Sequence, residues 1–260
     1  MRTPAIVASS LSATAAAVAI ALLTGASRTP LVERVDFDRV VRATAPAFDA
    51  RLAPASTAGI KDFRIQIKNA TIEIAKGITY QGWTFGGTVP GPVLRVRQGD
   101  LVRITVVNES PMPHSIDFHA ARIPANVAYR TIMPNDSLSF EFTANDPGAF
   151  MVHCGTPPVT MHLMQGMYFP IIVDPKGGWG TRADKEFVLV QSEFYAKPGD
   201  STGGSTAVVP MQADFQAAMA KNASQVVFNG RAFQYKDAPL HVDVGDRVRF
   251  FVVNAGPNLP

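Results

Sequence analysis

The chain has 260 residues, enough for one or two domains at roughly 150 residues each. Its 24 Lys and Arg against 21 Asp and Glu leave a net charge of +3, and no basic run could track a phosphate backbone, so nucleic-acid binding is excluded. A hydrophobic content of 47% excludes intrinsic disorder, and a single cysteine, Cys154, excludes an internal disulfide framework.

Residues 1–27 place Arg2 ahead of an apolar or small-residue stretch, Ala5 to Leu23, and close on Gly25-Ala26-Ser27. That is the composition of a cleavable export signal. The stretch is just long enough to span a bilayer, so an uncleaved anchor is the alternative; its richness in Ala and Ser favours cleavage. No cysteine follows it for lipidation and no Arg-Arg pair precedes it. The remainder is therefore assigned to the periplasm or the exterior, with no membrane contact beyond the signal segment. Residues 28–60, with Pro30, Pro46 and Pro54 among small residues, read as a loosely ordered extension.

From residue 61 the pattern is all-β, and 20 Gly and 20 Pro suit short strands and turns. Leu101 to Asn108 is rich in β-branched residues, and Leu138-Ser-Phe-Glu-Phe-Thr143 alternates apolar and polar as half-buried strands do. Asn145-Asp-Pro-Gly148 reads as the turn after it. Asp174 to Gly180 reads as an interdomain linker, and Glu186 to Gln191 as a new strand. Residues 196–206 read as a loop, and Met211 to Lys221 has weak helical character.

The sequence repeats itself. Val93-Leu-Arg-Val-Arg-Gln-Gly-Asp-Leu-Val-Arg-Ile-Thr-Val-Val-Asn108 resembles Pro239-Leu-His-Val-Asp-Val-Gly-Asp-Arg-Val-Arg-Phe-Phe-Val-Val-Asn254. A fainter echo pairs Phe85-Gly-Gly87 with Phe228-Asn-Gly230. Two copies of one fold follow, over 61–174 and 186–260. The second stops where the first reaches His114. The reading is of an incomplete second sandwich in a shortened chain, with an unpaired edge and an uncovered apolar face.

Four of the five histidines lie between 114 and 162, around Cys154. Cys154, His162 and Met167 share one short loop, with His114 upstream. Two imidazoles, a thiolate and a thioether are the donor set of a blue-copper electron-transfer site; zinc would favour a second Cys or a carboxylate. The bland reading makes Cys154 a buried thiol and Met167 a core residue. Strand parity points to a second group. His153 and Cys154 are neighbours, and His114 and His119 are an odd number of residues apart, so each pair faces opposite ways on extended chain. Asp117 shares the face of His119. His114, Cys154, His162 and Met167 are expected inside, with His119, His153 and Asp117 outside, back to back. Electrons would pass through the Cys154–His153 peptide, and Asp117 would donate protons to an oxyanion on the outer metal. Two imidazoles do not close a copper site, so a third ligand is expected from another domain or chain. For the outer pair, the bland alternative is surface histidines satisfied by water.

Thr84-Phe-Gly-Gly-Thr-Val-Pro-Gly-Pro92, Met112-Pro-His-Ser-Ile-Asp-Phe-His119 and Met151-Val-His-Cys154, followed by His162 and Met167, resemble the copper-containing nitrite reductases over residues 61–260. That family belongs with the multicopper oxidases. The resemblance implies tandem cupredoxin Greek-key β-sandwiches and a homotrimer. It implies type 1 copper on His114, Cys154, His162 and Met167. It implies type 2 copper on His119 and His153, with a third His from a neighbouring subunit and Asp117 as proton donor. The implied reaction is one-electron reduction of nitrite to nitric oxide, fed by a small periplasmic electron-donor protein. Three positions depart from the family pattern. The chain ends at Asn258-Leu-Pro260, before the third type 2 His. Ala238 stands near the place of a second-domain catalytic His, while His241 aligns with Arg95 and reads as a strand-surface residue. The loop from Cys154 to His162 is a residue short, with Met161 where an aromatic is usual.

Three other functions compete, one of them an exported β-sandwich binding module with no metal, which would leave the four clustered histidines and the lone cysteine unexplained. An electron-transfer cupredoxin would use the type 1 copper alone. A laccase-like multicopper oxidase would need His-x-His pairs to build a trinuclear cluster, and the chain has none.

Overall fold

A computed structural model describes residues 30–36, 48–199 and 210–257. The signal segment 1–27, residues 37–47 of the extension, the loop residues 200–206 and the terminal 258–260 lie outside the described residues. In chain order the strands are β1 (Val32–Asp36), β2 (Ile60–Ala75), β3 (Ile78–Phe85), β4 (Leu94–Arg97), β5 (Leu101–Asn108), β6 (Asp117–Phe118), β7 (Ser137–Thr143), β8 (Gly148–His153), β9 (Tyr168–Asp174), β10 (Lys185–Phe194), β11 (Ala196–Lys197), β12 (Gln212–Ala213), β13 (Gln225–Phe228) and β14 (Val248–Asn254). The helices are short: α1 (Ala125–Ala128), α2 (Val159–Met164), α3 (Phe215–Met219) and α4 (Gln234–Asp237).

Two sheets face each other in the first repeat. One runs β1-β2-β5-β7, with β3 also paired to β2; the other runs β4-β9-β8-β6. The alternation read in the sequence decides which side is buried. Val102, Ile104 and Val106 of β5 and Leu138, Phe140 and Phe142 of β7 point inward, while Arg103 and Glu141 stay in solvent. They meet Leu94, Val96, Val152, Phe169, Ile171 and Val173 of the opposite sheet. Each such side chain contributes about 1.5–3 kcal/mol when fully buried. This is the cupredoxin-type sandwich expected, and Asn145 to Gly148 forms the turn between β7 and β8.

Within the described part of the extension lies a strand. β1 pairs in parallel with the start of β2, from Val32 opposite Ile60 to Asp36 opposite Arg64. Gln66 Nε2 donates to Asp36 Oδ1 at 2.6 Å. An exposed edge strand held by long-range pairing leaves little compositional trace.

The internal repeat is a repeat in three dimensions. β10 pairs in parallel with β14 and antiparallel with β13, as β2 does with β5 and β3. Asp100 Oδ2 accepts the N–H of Arg97 at 2.8 Å, and Asp246 Oδ2 accepts that of Asp243 at 2.8 Å. Gly99 and Gly245 supply the positive φ that both turns need, 94° and 96°. Lys61 Nζ lies 3.4 Å from Asp100, and Lys185 Nζ lies 3.0 Å from Asp246. The segment equivalent to β4 is irregular, so His241 is exposed as expected but does not lie on a strand. Met211 to Lys221 holds β12 and α3, whose first turn is capped by Asp214 accepting from Ala217 N at 3.0 Å.

The two repeats differ in what covers them. Phe250 and Val252, the counterparts of core residues Ile104 and Val106, are 51% and 57% exposed, beside exposed Val226 and Phe228. Among the described residues no second sheet covers this face. The opposite face is buried, with Phe251 against Leu52, Ile172 and Val188.

Candidate metal centre

β6 and β8 build the centre. They pair antiparallel, with Asp117 opposite His153 and Phe118 opposite Val152. Directly opposed residues share a face, so Asp117 and His153 are brought together. The backbone N–H of His119 donates to Met151 O at 3.2 Å, which carries His119 to the same side. Beyond the end of β8, Cys154 N–H donates to Met167 O at 3.1 Å. α2 returns the chain after Pro158, and His162 in its last turn faces back toward the thiol.

The inner group converges as the donor chemistry requires. Cys154 Sγ lies 3.2 Å from His162 Nδ1 and 3.9 Å from His114 Nδ1, and the two nitrogens are 3.1 Å apart. His114, Cys154 and His162 are buried, and Met167 is fully buried in the same apolar cluster as Cys154. Burial pushes His114 and His162 down to about 4, with His162 adding a repulsion on His114. Both imidazoles are therefore neutral near pH 7, with a lone pair free for a metal. A soft thiolate beside two neutral imidazoles fits copper.

The outer group lies on the other side of the same peptide. His119 Nε2 and His153 Nε2 are 3.0 Å apart, and Asp117 Oδ2 is 3.5 Å from each. His153 Nδ1–H donates to Cys154 O at 2.8 Å, which fixes the tautomer and turns the Nε2 lone pair toward His119. Hydrogen bonding to Asp117 raises His119 above the usual histidine value. The back-to-back arrangement is as expected, with one correction. His153 is only 7% exposed, because β8 is an inner strand of its sheet and the His119 ring packs against it edge-on at 5.0 Å. His119 itself is exposed, so only His153 departs from the picture of surface histidines satisfied by water. Beside Asp117 opens a cavity of about 190 Å³, walled by Phe118, Ala121, Ile123, Ala125, Ala128 and Tyr129. Its volume would admit a small anion with water.

Three contributors escaped the sequence reading. Ser115 N–H donates to Cys154 Sγ at 3.4 Å, and its hydroxyl accepts from Gly155 N at 3.0 Å and Thr156 Oγ1 at 3.2 Å. Its place beside His114 was the available signal. Tyr129 packs its ring over Gly155, where a Cβ would lie 2.2 Å from it. Trp83, partly buried, sets its indole edge-on to both inner imidazoles, 5.5 Å from His114 and 5.1 Å from His162. Nothing in the local sequence links Trp83 to either.

Residues 66–178 match a family described as multicopper oxidase. A copper nitrite reductase structure from Nitrosomonas europaea is 39% identical, with a TM-score of 0.64, covering 75% of this chain and 69% of that one. The chain belongs to the copper nitrite reductase family. A copper-containing nitrite reductase structure from Thermus scotoductus SA-01 is 31% identical, with a TM-score of 0.66, covering 77% of this chain and 45% of that one. The copper-containing nitrite reductase of Neisseria meningitidis serogroup B is 39% identical over 204 residues, covering 75% of this chain and 51% of that protein. The chain thus spans about half the length of the curated relatives it matches.

Proposed function

We propose that this protein reduces nitrite to nitric oxide, using type 1 copper held by His114, Cys154, His162 and Met167 and type 2 copper held by His119 and His153. The observation that carries this reading is the pairing of two donor clusters across one peptide bond, Cys154 on one side and His153 on the other. Bound copper would supply one-electron redox chemistry in the inner cluster and an oxyanion site in the outer one.

The chain's own groups supply the rest. The covalent link from Cys154 to His153 joins the clusters without a gap for the electron to cross. Nitrite, two protons and one electron give nitric oxide and water, so the outer site needs a proton source. Asp117 Oδ2, at the edge of the 190 Å³ cavity and 3.5 Å from both outer imidazoles, is placed to hold and deliver a proton to the oxyanion. Phe118, Ile123 and the alanines of α1 give that cavity apolar walls.

The outer cluster has two imidazoles among the described residues. A third would come from the second domain of a neighbouring subunit, in a homotrimer. The domains would divide at 61–174 and 186–260, in an exported, periplasmic protein whose electron donor is a small redox protein. An electron-transfer protein with only the inner copper is the second reading, favoured by that two-imidazole count.

Copper titration with nitrite turnover separates them. Two coppers per chain and nitric oxide release support the reductase; Cys154→Ser then abolishes the thiolate-to-copper absorption and leaves the outer metal bound. Asp117→Asn keeps both metals and slows turnover by about 10²-fold or more, the usual contribution of a positioned proton donor. One copper with strong absorption and no turnover overturns the reductase in favour of electron transfer.

A further inference from the structure

The inner donors are almost wholly shut off from solvent. His114, Cys154 and Met167 are 0% exposed and His162 is 3% exposed. An electron from a donor in solution therefore enters either at the small accessible part of His162 or through a neighbouring side chain. Trp83 packs edge-on against both imidazoles and is only partly buried.

Its position is fixed from two directions. Within β3 it pairs with Asn69 of β2, and its backbone N–H donates to Gln165 O at 3.0 Å, just past α2. The strand and the ligand loop are thus tied at the residue whose ring also meets His162. The ring planes stand at 67° to His114 and 63° to His162, the edge-to-face geometry that aromatic pairs favour. One conjugated ring of a partly buried residue therefore lies against two ligands. A saturated side chain there would offer weaker electronic coupling, because tunnelling through σ bonds and gaps falls off faster than through a π system.

We infer that Trp83 is the residue through which the electron reaches the inner cluster from an external one-electron donor, a role that rests on copper occupying that cluster. The donor loses one electron and copper(II) becomes copper(I). No bond is made or broken, no proton moves, and the indole is not itself consumed. Trp83 acts through the ligands, so it is a positioning and coupling residue, and its substitution changes how fast copper is reduced more than how it is bound.

The test is stopped-flow reduction of the copper-loaded chain by hexaammineruthenium(II), followed by loss of the thiolate-to-copper absorption, with the reduction potential measured separately. Trp83→Leu is expected to slow reduction several-fold at an unchanged potential and an unchanged absorption band, and Trp83→Phe, which keeps a ring, to restore most of the rate. An unchanged or faster rate in Trp83→Leu overturns the inference, as does a Trp83→Phe rate as slow as the leucine variant's. If Trp83→Leu fails to fold or loses the band, Trp83→Met, whose longer flexible side chain adapts to the gap, is judged by the same criteria. Absence of the band in the unsubstituted chain refutes copper in the inner cluster, and the role of Trp83 falls with it.

Discussion

Ser115 donates its backbone N–H to the sulfur of Cys154 at 3.4 Å, while its hydroxyl accepts from Gly155 N at 3.0 Å. The residue therefore ties the segment carrying His114 to the segment carrying the thiol. Ser115→Ala keeps the N–H to sulfur but leaves the buried N–H of Gly155 without its acceptor. The expected loss is about 1–3 kcal/mol, the cost of an unmade buried hydrogen bond. Urea unfolding of the metal-free chain measures it.

Gly155 has no room for a side chain. A Cβ would sit 2.2 Å from Cζ and 2.3 Å from the hydroxyl of Tyr129. Gly155→Ala is expected to destabilise by about 1–3 kcal/mol through overpacking. The double variant with Tyr129→Ala should lose less than the two single variants added together, because the clash disappears with the ring. A double-mutant cycle read by urea unfolding decides this; strict additivity would show that Tyr129 does not press on Gly155.

The inner histidines make the metal-free chain sensitive to acid. Burial lowers His114 and His162 to about 4 from the ordinary 6.5. Between those values the unfolded chain holds more protons than the folded one. Stability is therefore full above pH 6.5 and is lost as the pH falls toward 4. The urea midpoint should drop over that window, and His162→Gln should flatten the slope. Bound copper should move the loss to lower pH, since it competes with protons for the same nitrogens.

The two lysine–aspartate pairs of the repeat should respond very differently to the same substitution. Lys61 is fully buried, with Asp100 at 3.4 Å, Glu33 at 3.6 Å and the carbonyls of Ser56 and Ala58 around its ammonium. Asp100→Asn removes one of the two carboxylates near a buried charge and is expected to cost up to about 3–5 kcal/mol. Lys185 reaches solvent and has a second partner, Asp243, at 2.9 Å. Asp246→Asn should shift the urea midpoint far less. Equal shifts would show that the Lys61 site is hydrated.

Much of this molecule was legible because its signals are local. Cys154, His162 and Met167 fall within one loop, strand parity separates His153 from Cys154, and alternation in β7 announces its buried face. The repeat was legible because Gly99 and Gly245 sit in turns of the same conformation. What stayed hidden depends on chain brought together from afar. β1 is ordered by parallel pairing with β2 across the intervening extension. Trp83 meets His114 and His162 only because the end of β3 is tied to the loop after α2. The burial of His153 depends on which strands flank β8, and a single strand's alternation does not carry that information.

The register of β8 against β9 has a consequence for how this gene can vary. Met151 faces Pro170 and His153 faces Tyr168, and that alignment, with the pairing of β8 against β6, sets which cluster receives the thiol and which the imidazole. Substitutions along β8 leave the assignment intact. Losing or gaining one codon between Gly148 and Val152 would turn sulfur and ring to the wrong sides together, so this stretch should tolerate exchange of letters but no change of length.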